Sequence, residues 1–369
     1  HLIFVVKIKN NMRVCIIGIG LSSLTLAKAL VNQKIHVDVL AKKSTNTLNK
    51  SRTIGISKSN TEFFNNHLVN IKKILWKLKK IEIYTENLKK QKLLNFENKK
   101  YELFSIVKNY KLYELLEKSL SKSKYFKKIY INENLKFLEN YNLIINTDYS
   151  SLITKKYFSK KIVKEYNSYA HTTIINHERI NNNVATQIFT KKGPLAFLPI
   201  SNFQTSVVYS FHNSRNKNNE NIIELIKYYN FKYKIKKIKQ IESYELKSFN
   251  LRSYYYNNIL AFGDLLHKIH PLAGQGFNMT IRDTQILMKI IKDKYNLGLP
   301  LDTSVNIEFE KNLKHKNFLF SSSIDLVHEF FNLDRRIKSN ILSKSVQLMG
   351  RNTSINKMFT KVADKGIFF

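Results

Sequence analysis

At 369 residues, with 43% apolar residue types and 24 phenylalanines, the chain has enough apolar material for a large core and is not a disordered polymer. Its one cysteine, Cys15, excludes an internal disulfide framework and CxxC-type metal sites and fits a reducing, cytosolic compartment, while no run of 18 apolar residues offers a membrane span. The formal charge of +35 invites a nucleic-acid reading, but the lysines are spread among solvated helix faces without one RNA-binding motif, so nucleic acid is not an expected partner. The sharper alternative for that charge is a cationic face meeting anionic lipid.

The opening HLIFVVKIKNN lacks a small-residue cleavage site and is not expected to be a signal peptide. Met12 directly precedes the first good strand, so residues 1–11 read as an upstream extension outside the fold. RVCIIGIGLSSLTLAKALVNQ then gives a buried strand (Val14–Ile17), a tight glycine turn and a helix from about Leu21 to Asn32, and IHVDVLAKK gives a second strand. Together they make a βαβ unit.

Its turn, Gly18-Ile19-Gly20-Leu21-Ser22-Ser23, is a GxGxxG loop with Ser23 in the third glycine position. The first glycine permits the tight turn, and the second lets backbone approach a pyrophosphate on the helix N-terminus. The third only allows close helix–strand packing, so a small Ser23 departs little. The acid expected on a ribose hydroxyl about 20 residues on is missing: Ala41 stands there, followed by Lys42 and Lys43, and Asp38 lies three residues early, pointing elsewhere by alternation.

Residues 58–80 are expected to be helical, 81–107 to form short strands and turns, and NYKLYELLEKSLSKS to be a helix. A further strand ends at Asn146-Thr147-Asp148. Residues 165–255 alternate in β fashion, interrupted by one helix near 219–231 and a basic strand at 233–241. From about 275 the chain is helical almost to its end, with a soft break at NLGLPLDT. The fold class is therefore mixed α/β: a Rossmann-like nucleotide-binding domain assembled from both ends of the chain, an inserted β-sheet domain and a C-terminal helical segment. The expected boundaries are 12–70 with 100–160 and 255–320 for the first, 71–99 with 161–254 for the second, and 321–369 for the third.

The densest chemistry lies in AFGDLLHKIHPLAGQGFNMTIRD, residues 261–283. An apolar strand ends in Gly263-Asp264, an aspartate placed to bind a ribose hydroxyl. Gly274-Gln275-Gly276-Phe277-Asn278 opens a helix continuing through Ile281, Thr284, Leu287, Met288 and Ile291, so its N-terminus is a second anion site. A pyridine nucleotide needs only one such site, whereas a reduced flavin carries negative charge along its ring edge. His267 and His270 have a spacing that permits metal, but no nearby carboxylate or thiol set completes a site, and supporting roles are the better reading.

These residues resemble the second FAD-binding motif of the class A flavoprotein monooxygenases (the para-hydroxybenzoate hydroxylase fold). Among these the span is most similar to the ubiquinone-biosynthesis hydroxylases. The resemblance runs from Met12 over nearly the whole chain. SRTIGIS (51–57) matches the segment after the second strand, and residues 169–201 follow the substrate-domain strands, including Gln187, Phe189, Gly193, Pro194 and Pro199. INTDYSSL stands where the family has Asp-Gly, with Tyr149 in the glycine's place. DLVHEFFN and FTKVADKG also have counterparts. Ala41, Ser23, Tyr149 and the pair Leu265-Leu266 depart from the family pattern.

The resemblance implies FAD as cofactor, NAD(P)H as reductant, O2 as oxygen source and a polyprenylated phenol or quinone precursor as substrate. It assigns Gly18, Gly20, Ser22, Ser23 and Arg52 to the ADP and pyrophosphate end, Asp264 to the ribityl–pyrophosphate end, and Gly274, Gln275, Gly276, Phe277 and Asn278 to the isoalloxazine. His270 and Pro271 would lie at the flavin face, nearest the chemistry. Contact with the inner membrane from the cytoplasmic side and with other quinone-biosynthesis proteins is the corresponding expectation. The alternatives are a non-catalytic FAD-binding or scaffold member of such an assembly, motivated by Ala41 and Tyr149, and an NAD-dependent dehydrogenase, which leaves 263–278 unexplained.

Overall fold

The computed structural model describes residues 13–42, 50–88, 91–97, 102–130, 136–212, 219–270, 274–336, 341–351, 357, 360–361 and 364–365. In chain order the elements are β1 (Arg13–Ile17), α1 (Leu21–Asn32), β2 (His36–Ala41), β3 (Thr53–Ser57), α2 (Lys58–Phe63), β4 (Trp76–Leu78), β5 (Lys80–Thr85), β6 (Lys92–Glu97), β7 (Phe104–Lys108), α3 (Asn109–Leu120), β8 (Phe126–Tyr130), β9 (Leu143–Asn146) and α4 (Leu152–Tyr157). There follow β10 (Lys161–His177), β11 (Val184–Thr190), β12 (Gly193–Pro199), β13 (Gln204–His212), α5 (Asn219–Tyr229), β14 (Ile235–Ile238), β15 (Glu242–Leu251), β16 (Tyr255–Tyr256), β17 (Ile259–Ala261), β18 (His267–Lys268), α6 (Gln275–Asn296), α7 (Thr303–Arg336) and α8 (Ile341–Arg351).

The first sheet has the order β16-β17-β9-β1-β2-β8, parallel throughout except for the β16 edge. β1, β2 and β9 read as apolar runs because helices cover the sheet: Val14, Cys15, Ile16, Val37, Val39, Leu143 and Ile145 show no exposed surface. Helices α1 and α6 pack in this core through Leu26, Leu30, Ile281 and Leu287. The sequence places the carboxyl ends of all five parallel strands on one edge, where ligands of such sheets bind.

The second sheet has the order β18-β15-β10-β13-β12-β11-β5-β6, with β14 pairing β10 beside this path. It is antiparallel except between β11 and β5. Its second core, around Ile175, Leu195, Val207 and Tyr209, is closed by α5 through Ile222 and Ile226. A third sheet, β3-β7-β4, lies between the other two in the chain's path. The mixed helix-and-sheet class read from the sequence is the observed one.

One expected element is corrected. Residues 58–80 are not one helix: α2 passes into a π-helical turn at Phe64–Leu68, then a short 3-10 turn, then strand β4. Asn65 Oδ1 accepts from the Ile71 amide at 2.9 Å, an offer to the backbone that competes with the helix ladder. Beyond it Trp76 and Leu78 alternate inward, and the Trp76 indole N–H donates to the Asn182 carbonyl at 2.6 Å. Tertiary pairing with β7 outweighs the helical spacing. Helix α4 also has no counterpart in the sequence reading; the Ser151 hydroxyl accepts from the Thr154 amide at 3.2 Å and starts it.

Candidate functional site: a cavity between two glycine-led helix termini

A cavity of about 1600 Å³ lies between the carboxyl edge of the parallel sheet and the face of the second sheet. Pockets for drug-sized ligands run to about 1,000 Å³, so this one has room for a dinucleotide and a second molecule. Gly18, Gly20, Ser22, Arg52, Asp264, Gly274, Gln275, Gly276 and Phe277 all line it, as do His267 and His270. The two glycine motifs, some 250 residues apart in the chain, thus share one space.

The first motif is shaped by contact as much as by ligand access. Gly18 has φ +107°, and a Cβ there would lie 2.5 Å from Thr147 Oγ1. Only glycine fits that turn. Ser23, in the third glycine position, is fully buried off the cavity and shares a 2.6 Å hydrogen bond with Thr147 Oγ1, which in turn donates to the Ile17 carbonyl. Its hydroxyl has become part of the helix–strand packing. Gly263, at φ +67°, would carry a Cβ 2.7 Å from Ser22 Cβ, so its glycine lets the two loops touch rather than letting a ligand past.

By contrast, a Cβ on Gly20 or Gly276 would meet no atom within 4 Å. Both face open space in the cavity. Gly20 caps α1 and Gly274 caps α6; neither helix has a side-chain cap or an acid in its first turn. Each therefore presents uncapped N–H groups and the positive end of its dipole toward the same cavity. That arrangement is made for two separate negative regions of one ligand, and it is the observation on which FAD fits: a pyrophosphate at one end and an anionic ring edge at the other.

Asn278 lies behind the wall. Its amide accepts from the Ser57 amide at 2.9 Å and from Asn60 Nδ2 at 2.8 Å, and donates to the carbonyls of Gly55 and Gly274 at 3.1 and 3.2 Å. All its hydrogen-bonding capacity goes into fixing the Gly274 turn against β3. Pro271 falls outside the described residues.

The two histidines diverge. His267 Nε2 bonds Asp283 Oδ2 at 2.5 Å with both side chains buried, and Asn317 Nδ2 donates to the other carboxylate oxygen at 3.1 Å. The His270 ring instead lies 4.4 Å from that of His328 and edge-on to Tyr166 at 4.8 Å. Tyr166, Asp283, Asn317 and His328 were not legible as site neighbours, because they come from β10, α6 and α7 by folding alone. Burial and Asp283 together push the Tyr254 phenol well above its ordinary value.

Two departures from the glycine-motif pattern acquire structural content. Tyr149 lines the cavity and is 56% exposed; Lys161 Nζ donates to its hydroxyl at 2.9 Å and stands 4.2 Å over its ring. Ala41 is buried, while Lys42 lines the cavity beside it. Asp38 turns away, its Oδ2 bonded to Arg13 at 3.0 Å and to the Tyr141 hydroxyl at 2.7 Å. Opposite the glycine loops the wall carries an apolar stretch, Leu78, Ile81, Ile83, Phe104, Ala185 and Leu198, beside polar Thr186, Gln187, Ser206 and Ser210. Among the described residues no cluster of three His, Cys, Asp or Glu could hold a metal ion, and no helix is long and apolar enough to cross a membrane.

Comparison with known proteins agrees with this geometry. A family model described as "FAD binding domain" matches residues 154–296. The chain is 25% identical over 214 residues to the mitochondrial ubiquinone biosynthesis monooxygenase COQ6 of Caenorhabditis elegans, covering 46% of this chain and 48% of that protein. It is 26% identical over 152 residues to 3-demethoxyubiquinol 3-hydroxylase of Escherichia coli, covering 39% of each. The chain thus spans about half, or less, of the curated relatives it matches. Among solved structures, p-nitrophenol 4-monooxygenase PnpA of Pseudomonas putida superposes with TM-score 0.76 at 12% identity, covering 96% of this chain and 98% of that one. The probable FAD-dependent monooxygenase pqsL of Pseudomonas aeruginosa gives 0.69 at 12% identity, covering 91% and 99%. The chain has the fold of the class A flavoprotein monooxygenases and is related in sequence to the ubiquinone-biosynthesis hydroxylases.

Proposed function

We propose that this protein is an FAD-dependent monooxygenase that hydroxylates the aromatic ring of a polyprenylated ubiquinone precursor, with NAD(P)H and O2 as co-substrates. The single observation carrying the reading is the pair of uncapped, glycine-led helix termini at Gly20 and Gly274 facing one cavity. The chemistry FAD supplies when bound is hydride acceptance from NAD(P)H and activation of O2 for transfer to an electron-rich ring. In this assignment the α1 N-terminus and Arg52 hold the pyrophosphate, Asp264 accepts from hydroxyls of the ribityl–pyrophosphate end, and backbone N–H groups from Gly274 to Phe277 stabilise charge on the ring edge. Gly18, Ser22, Ser23 and Asn278 set the backbone that does this. The substrate ring would lie against the second sheet, with Leu78, Ile81, Ile83 and Phe104 taking the apolar tail and keeping water out.

Support for the substrate class comes from that apolar wall and from the named activities of the relatives. Membrane contact is part of the same proposal. Ile162 and Val163 are 48% and 52% exposed beside Lys160, Lys161 and Lys164, a mixture suited to an anionic lipid surface on the cytoplasmic side. Contact with other quinone-biosynthesis proteins would follow from a shared, poorly water-soluble substrate.

The test is turnover of a polyprenylated phenol presented in anionic vesicles, followed by mass spectrometry. The expected result is NAD(P)H- and O2-dependent appearance of a product carrying one added oxygen. Retained FAD with no NAD(P)H oxidation and no product would overturn the enzymatic reading in favour of a non-catalytic FAD-binding scaffold.

A further inference from the structure

The face that the second sheet turns toward the cavity is uncharged along most of its strands. Among the described lining residues, the lysines, the arginine and the carboxylates come from the edge of the parallel sheet, the start of β3, β15 and β18, and β5 and β10–β13 contribute none. One rung crosses that face in register: Ile83 pairs with Gln187, Gln187 with Ala196, Ala196 with Val208, and Val208 with Thr172. Side chains alternate along a strand, so Ser210, which pairs with Ala170, shares the face of Val208.

Polar groups bracket this floor. Gln187 on β11 and Ser210 on β13 stand two strand spacings apart, roughly 10 Å between backbones, and β12 between them turns only Ala196 and Pro194 toward the cavity there. A gap of that width over a small side chain takes one flat ring. The floor also adjoins the Gly274 helix terminus. A Cβ on Gly274 would lie 3.6 Å from the Gly55 amide nitrogen. On the same strand, β3, the Thr53 hydroxyl donates to Ser206 Oγ at 2.8 Å, one step along the cavity face of β13 from Val208. Thr53 and Ser206 satisfy each other, whereas among the described residues none hydrogen-bonds the Gln187 amide or the Ser210 hydroxyl. An amide and a hydroxyl each donate and accept, so the pair matches ring oxygens without supplying a countercharge.

We infer that Gln187 and Ser210 are specificity-determining residues: their side chains hydrogen-bond the oxygen substituents of the substrate ring as it lies over Ala196, and the apolar tail runs from there past Ile83 toward β4 and β7. This rests on the reading of the cavity as a flavin and ring-substrate site, and adds which side chains orient the ring. With no cation on β5 or β10–β13, a ring carboxylate held there would be desolvated without a partner, so the same floor disfavours one.

The test is binding of three probes that share one short isoprenoid tail, 2-prenylphenol, prenylbenzene and 3-prenyl-4-hydroxybenzoate, to the full chain loaded with FAD, read from the flavin absorbance. Near neutral pH the phenol should bind about tenfold more tightly than either prenylbenzene or the benzoate, the scale of one or two net hydrogen bonds. Gln187→Leu and Ser210→Ala should each narrow the gap between the phenol and prenylbenzene several-fold while prenylbenzene binds as before, which a loss of structure would not do. Equal binding of the phenol and prenylbenzene, a benzoate bound as tightly as the phenol or more so, or a gap that either variant leaves untouched overturns the assignment and leaves the FAD reading standing. If FAD does not load, the functional reading falls, and calorimetry with the same probes on the chain without cofactor still decides whether Gln187 and Ser210 hold the ring oxygens.

Discussion

Single residues in the two motifs separate into those that shape backbone and those that face a ligand. Gly18 is of the first kind: a side chain would be strained by φ +107° and would meet Thr147 at 2.5 Å. Gly18→Ala should cost about 1–3 kcal/mol of stability or more, seen as a lower urea midpoint. Gly20 is of the second kind, with φ −71° and open space where a Cβ would go. Gly20→Ala should leave the urea midpoint nearly unchanged and weaken FAD binding by an order of magnitude or so, measured by fluorescence titration. Equal stability losses for the two would contradict the distinction. His267 and Asp283 form a third case, a buried hydrogen-bonded pair holding the strand after the GD turn to α6. Removing either partner leaves a buried polar group of the other without it, so His267→Ala or Asp283→Asn should each cost about 1–3 kcal/mol. The double variant should cost less than the sum.

At the scale of elements, the βαβ unit was readable nearly to the residue. Leu21 to Asn32 is the observed α1, because an apolar strand, a glycine turn and a run of apolar helix formers all point the same way. The helix opened by Gly274 was readable for the same reason. Residues 58–80 were not, because the alternation of Trp76 and Leu78 is too short to stand out, and its partner β7 lies far along the chain. Part of the cavity lining was legible: the glycines and Asp264 from their local pattern, and Arg52 from the family resemblance. Its far wall was not, since Leu78, Ile81 and Phe104 read as ordinary core residues until the sheets are assembled. Nor was Gly263, whose reason is contact with Ser22 rather than with a ligand. Strand β5 carries a pH-dependent element of its own. Burial raises the Glu82 carboxyl, but hydrogen bonds from Lys92, Lys80 and Tyr84 outweigh it and bring the carboxyl down to about 2. A depressed folded-state value contributes stability that is present above about 4.5, the ordinary value, and lost as pH falls through about 2. Urea unfolding between pH 5 and pH 2 should therefore show a downward slope that Glu82→Gln makes shallower. An unchanged slope in that variant would contradict the assignment.

Across the whole molecule, the cavity exists because three sheets and the N-terminus of α6 meet at one edge of the parallel sheet. Neither glycine motif makes it alone. A ligand spanning both should therefore bind the folded chain and not its parts, raising stability by about 2.7 kcal/mol at a concentration a hundredfold above its dissociation constant. The central claim is that this ligand is FAD. It is tested most directly by the visible absorbance spectrum of the purified full chain, before and after addition of FAD, beside that of Asp264→Ala. The account predicts a yellow protein with bound flavin in stoichiometric amount, and a folded Asp264→Ala variant that loses it. A folded, colourless protein that cannot be loaded with FAD would contradict the account.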